Sequence, residues 1–152
     1  MAIVRAPISK FVAYMQWCLE NKCGYIMGAY GQDPTKWAKD SWWFTQYTGE
    51  QRKKALYWRE NAPVVMDCNG LAEGGYQKET GVNINARARN NYSAWCDPKG
   101  TGKIPAKYRV PGAAVFIHNG SYVSHVGFLW KPVTTSKPEG DWWVIEARGV
   151  MY

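Results

Sequence analysis

The stretch PGAAVFIHNGSYVSHVGFLW, residues 111–130, decides the fold class of this chain. Apolar residues dominate on either side of Asn119-Gly120, a dipeptide suited to the positive φ angles of a tight hairpin turn. The stretch therefore reads as two antiparallel strands joined at HNGS. The segment DWWVIEARG, residues 141–149, reads as a third strand that returns to the second across the loop KPVTTSKPEG, 131–140.

Upstream, the periodicity becomes helical. Ile8, Phe11, Val12, Met15 and Leu19 recur at three- and four-residue steps, with Pro7 suited to the helix start and Gly24 to its stop. A second helix is predicted around 50–59 and broken by Pro63, after which VVM leads as a strand into Asp67. A third is predicted from Cys68 to about Thr80, ended by Gly81 and made irregular by Gly74 and Gly75. A further helical segment over 83–95 precedes the loop CDPKGTGKIP. Helices first and antiparallel strands second make an α+β fold, and 152 residues suit one domain, 1–152.

Hydrophobic residues make up 46% and charged residues 20%, a composition that argues against disorder. Nine Trp and ten Tyr offer flat apolar faces with polar edges, suited equally to sugar rings, protein interfaces and bases. The net charge of +7 favours a polyanionic partner such as nucleic acid, anionic lipid or an anionic cell wall, with plain solubility as the alternative. The nearest approach to a basic run, EQRKKALYWRE, is interrupted by acids and reads as a solvated helix face. Cys18, Cys23, Cys68 and Cys96 match no secreted disulfide framework and are expected as free thiols. No apolar run reaches transmembrane length, and MAIVRAPISK lacks a following apolar region. The expectation is a monomer made in the cytosol without a signal peptide, not inserted in a membrane, and delivered by other means if it acts outside.

Cys68 lies in VMDCNGLAEGGYQ, 65–77, among residues that belong at a helix start. Asp67 or Asn69 can cap the first turn, and backbone N–H groups at the positive end of the helix dipole favour a thiolate. Gly70 would leave room for a substrate backbone. A reactive thiol needs a base, and the chain has only His118 and His125. Strand alternation places His125, Gly127 and Leu129 on one face, with open space expected over the glycine. His118, beside the turn, reads as solvent-exposed. Glu146, on a face with Trp142 and Val144, needs a partner if buried: either the His125 imidazole or Arg148.

DCNGL (67–71), HVGFLW (125–130) and VIEARG (144–149), with GYIMGAYGQ (24–32) upstream and PGAAVF (111–116) between, together resemble the NlpC-type family of peptidoglycan peptidases. The resemblance covers nearly the whole chain and implies a papain-like fold, with helices packed on an antiparallel sheet. It implies Cys68 as nucleophile, His125 as general base and Glu146 as the third polar residue. The Tyr25 hydroxyl and the Cys68 backbone N–H would hold the oxyanion. Asn69 replaces the family's usual serine, and Glu146 stands where many members have histidine. Residues 33–65 form a longer passage than the family pattern. Its Trp37, Trp42, Trp43 and Trp58 could wall the substrate groove or pack outside it. Trp42, Trp43 and Asn69 are the candidate substrate-binding residues. The implied activity is cleavage of an amide bond in the peptidoglycan stem peptide, beside D-glutamate, by a phage lysin or tail-associated hydrolase. No metal or cofactor is required.

Three other readings compete. A zinc site fits poorly, because Cys18 falls in a helix and the Cys and His spacings are not those of a finger. A non-catalytic binder of nucleic acid or wall glycan would use the charge and aromatics, although no RNA-binding signature or helix-turn-helix is visible and nucleic acid is not the expected partner. An amidase or acyltransferase would use the same thiol and imidazole.

Overall fold

The computed structural model describes residues 5–84 and 87–151. In chain order its elements are helix α1 (Ile8–Glu20), strands β1 (Gly24–Tyr25) and β2 (Tyr30–Gln32), helices α2 (Trp42–Thr45) and α3 (Gly49–Asn61), and strand β3 (Val65–Met66). Helices α4 (Gly70–Thr80) and α5 (Ala88–Asn90) follow, then strands β4 (Ala114–His118), β5 (Val123–Pro132) and β6 (Trp142–Ile145). The fold is mixed α+β with two small sheets. In one, β3 lies between β1, to which it is parallel, and β2, to which it is antiparallel. The other is an antiparallel meander with β5 in the middle.

The hairpin forms at the expected place, but His118 pairs with Val123, so residues 119–122 make a longer loop in which Gly120 and not Asn119 takes a positive φ. Gly120 adopts φ +98, and the Asn119 side chain accepts hydrogen bonds from the Ser121 and Tyr122 backbone N–H groups. On α1 the buried positions are Tyr14, Met15 and Cys18, with Phe11 packed beside them, whereas Ile8 and Leu19 are exposed. The inner stripe is thus rotated from the one expected, toward α4 and the sheet.

Three glycines in α4 permit close packing rather than loosen the helix. A Cβ at Gly70 would run into the Ala29 carbonyl, one at Gly74 would lie 2.7 Å from the Tyr30 carbonyl oxygen, and one at Gly75 2.9 Å from Phe11. The room at Gly70 is therefore occupied by the protein's own backbone and is not open to substrate. The segment expected as a helix over 83–95 is shorter. Val82 to Ile84 are non-helical, α5 starts after Arg87, and a single π-helical turn, Asn91–Trp95, follows it; Asn85 and Ala86 lie outside the described residues.

Two buried clusters share the interior. Tyr14, Met15, Cys18, Met66, Leu71, Val126, Phe128 and Ile145 join α1 and α4 to the meander. The passage 33–65 builds the second, in which Phe44, Tyr47, Ala55 and Ala62 surround Ile26, Ala29, Val65 and Val150. Trp58 belongs to this packing: it lies flat against Gly24, where a Cβ would be 2.7 Å away, and its indole N–H donates to the Val150 carbonyl at 3.1 Å. Neighbouring β-strands β3 and β1 link the clusters. Among the described residues no helix is long and apolar enough to cross a membrane.

Candidate active site

Cys68 lies in the turn between β3 and α4, and Asp67 organises that turn. The Asp67 Oδ1 accepts from the Gly70 N–H at 2.7 Å, while its backbone carbonyl accepts from Leu71 N–H at 3.2 Å. Those are the bonds of a helix N-cap, and Asn69 already has helical φ and ψ, so Cys68 occupies the first position of the helical turn. The other Asp67 oxygen, Oδ2, accepts from the Gly28 N–H at 2.9 Å. One carboxylate thereby ties the Cys68 turn to the turn between β1 and β2. Tyr47 braces that second turn, its hydroxyl accepting from Met27 N–H at 2.7 Å. Tyr47 was one tyrosine among ten in the sequence, with no motif to mark it.

The Cys68 sulfur receives the backbone N–H groups of Val126, Asn69 and Cys68 itself, each of which favours the thiolate. They are outweighed: burial, and after it the Asp67 carboxylate, push the thiol above its ordinary value. The helix dipole, which alone would favour the thiolate, is thus opposed at Cys68 by burial and by Asp67. The Val126 contact sets the sulfur against β5 one residue beyond His125.

His125 Nε2 and Glu146 Oε2 are 2.6 Å apart, and both side chains are mostly buried. Glu146 sits just past β6 and crosses Gly127 to reach the imidazole. A Cβ at Gly127 would lie 2.7 Å from Val144 Cγ1 and 3.3 Å from Glu146 Cβ. The space expected over this glycine is filled by the carboxylate side chain. The two partners proposed for Glu146 are not exclusive, since its Oε1 meets Arg148 Nη1 at 3.5 Å. His118 is exposed, with Nδ1 accepting from Gly120 N–H at 3.1 Å.

Tyr25 closes the site from the β1 side. Its phenol, pushed up by burial first and then by Asp67, Cys68 and Tyr47, lines a cavity with Glu146. Trp42 and Trp43 stand over Gly28, which takes φ +86; a Cβ there would meet the two rings at 3.5–3.7 Å. Trp43 stacks on Trp37 with centroids 4.1 Å apart, and Trp42, 60% exposed, sets its edge against Trp43. Trp42 thus remains largely exposed above the turn between β1 and β2.

Asn69 does not line a substrate surface. It is 2% exposed, donates to Glu73 Oε1 at 3.0 Å and accepts from the Asn91 amide. Its amide is consumed in linking the start of α4 to the π-helical turn, and serine would be too short for that span. Among the described residues no three His, Cys, Asp or Glu side chains gather as a metal site, and His118 stands apart from the Cys18–Cys23 region. Compared with known proteins, the chain matches no family model, no curated protein and no solved structure.

Proposed function

We propose that this protein is a cysteine hydrolase of the peptidoglycan stem peptide, with a papain-like arrangement of helices and sheet. The observation that carries the reading is the His125–Glu146 contact of 2.6 Å across Gly127, on the strand whose next N–H group reaches the Cys68 sulfur. Glu146 occupies Nε2 of the imidazole, which leaves Nδ1 as the atom to exchange protons with the thiol.

His125 removes the proton of the Cys68 thiol as the sulfur attacks the amide carbonyl. The Cys68 N–H and the Tyr25 hydroxyl stabilise the oxyanion; loss of one such donor typically costs on the order of a hundredfold. His125 then protonates the departing amine, and water, deprotonated by the same imidazole, hydrolyses the thioester. Glu146 holds the ring in orientation and stabilises the imidazolium. The net charge of +7 suits an anionic wall, and the exposed Trp42 suits a sugar ring. The sequence resemblance supplies the substrate class and the lysin role; the site itself is equally suited to an amidase or acyltransferase.

Digestion of purified peptidoglycan followed by mass spectrometry of the fragments tests this. New amine and carboxyl termini within the stem peptide are expected, and are lost in Cys68→Ala and His125→Ala. Nucleic-acid binding without any wall digestion would instead favour the binder.

A further inference from the structure

A second thiol site lies at the far end of α1. The helix closes with backbone bonds from Cys23 N–H to the Cys18 carbonyl at 3.0 Å and from Lys22 N–H to the Leu19 carbonyl at 3.3 Å, with Lys22 at φ +53. This is the Schellman closure, which brings together the side chains of the residues at its two ends. Here both ends are cysteines, and each thiol shifts the acidity of the other. Their mutual backbone bond draws the α-carbons toward the separation of about 4.4–6.8 Å that a disulfide spans.

Both thiols line a cavity of about 320 Å³ that also holds Tyr25, Glu146 and Arg148. Cys18 is buried against the core and Cys23 is partly open to the cavity. The Val64 and Cys23 N–H groups reach the Cys23 sulfur, and the Lys78 ammonium, lying over the Tyr14 and Trp17 rings, is near both.

We propose that Cys18 and Cys23 form an oxidation site that closes to a disulfide by exchange with small-molecule disulfides, Cys23 attacking and Cys18 resolving. Cys23 thiolate attacks one sulfur of RSSR, forming Cys23–S–S–R and expelling RS⁻, which takes up a proton. Cys18 then loses its proton and attacks the Cys23 sulfur, expelling the second RS⁻, which is protonated in turn. Two protein thiols are oxidised and one small disulfide is reduced to two thiols. Cys18 is pushed up and Cys23 is pushed down, which agrees with these roles. The proposal does not rest on the hydrolase reading, although the cavity is shared with Tyr25 and Glu146.

The test uses the full reduced chain incubated with oxidised glutathione at neutral pH, quenched with iodoacetamide and digested with trypsin. Cleavage after Lys22 separates the two cysteines, so closure joins the peptide 11–22 to the peptide 23–36. That linked pair is expected, with Cys68 and Cys96 recovered largely alkylated. Recovery of Cys18 and Cys23 both alkylated, or glutathione accumulating on Cys68 before the link forms, would overturn the proposal. In Cys18→Ser the mixed disulfide is expected to persist on Cys23. In Cys23→Ser, uptake of glutathione by Cys18 would overturn the assigned order of attack.

Discussion

Cys68 opens a helix, at the positive end of its dipole, whereas Cys23 lies just beyond the negative end of another. The dipole alone would make Cys68 the more acidic thiol and Cys23 the less. The order is reversed: burial and the adjacent Asp67 raise Cys68, while the Cys18 thiol, the N–H groups of Val64 and Cys23, and Lys78 lower Cys23. A helix terminus contributes only a fraction of a charge, and a full carboxylate next door, with burial, exceeds it. What distinguishes Cys68 is instead its company. The Val126 N–H acts on its sulfur, and the residue before Val126 on β5 is His125, whose imidazole holds Glu146 at 2.6 Å.

That contrast is open to attack at several points, beginning with the thiols themselves. Cys68→Ala should lower stem-peptide hydrolysis by at least about a thousandfold, measured as released amine, while Cys23→Ser stays within a few-fold of the parent. Equal losses would erase the distinction. Glu146→Gln should cost roughly a hundredfold in kcat with an unchanged unfolding midpoint. An unfolded Glu146→Gln protein would make the carboxylate structural.

Smaller effects test how the site is held. Gly127→Ala puts a methyl group into Val144 and Glu146, and should cost about 1–3 kcal/mol in denaturant unfolding. It should also slow hydrolysis by about tenfold to a hundredfold, because Glu146 is displaced from His125. Alkylation of the individual cysteines across pH should show Cys23 reacting below the ordinary thiol range and Cys68, in His125→Ala, above it. The same raised value makes Cys68 a source of alkaline instability. The unfolded chain loses this proton first, so stability is complete below the ordinary thiol pKa and declines as pH rises through the folded value. Arg148→Ala should be the mildest, near 0–1 kcal/mol, since its pair with Glu146 is largely exposed.

The α+β order, the start of α1 and the ends of α3 and α4 were legible because each depends on residues close in sequence. By contrast, α1 stops at Glu20, before the expected Gly24, which lies in β1. The pairing of His125 with Glu146 was legible as one of two possibilities, since strand alternation limits which residues share a face. Longer-range packing was not. Gly70 and Gly127 read as open space, yet in three dimensions a carbonyl and a carboxylate fill it. Asn69 read as a residue facing substrate, because nothing local announces that Glu73 and Asn91 will bury it. The passage 33–65 read equally as a groove wall or as outer packing, because its apolar residues make a core only once Ile26, Ala29 and Val150 arrive from distant parts of the chain. The Cys18–Cys23 contact was hidden for a different reason: five residues apart, the two meet only if the helix ends with Lys22 in a left-handed conformation, which few non-glycine residues adopt.

The most direct measurement is intact-protein mass spectrometry of the protein mixed rapidly with a stem peptide and quenched in acid, with the modified residue mapped by proteolysis. A transient acyl adduct on Cys68, absent from Cys68→Ala and slow to form in His125→Ala, is the predicted result. An adduct carried by Cys23, or hydrolysis that continues unabated in Cys68→Ala, would contradict the account.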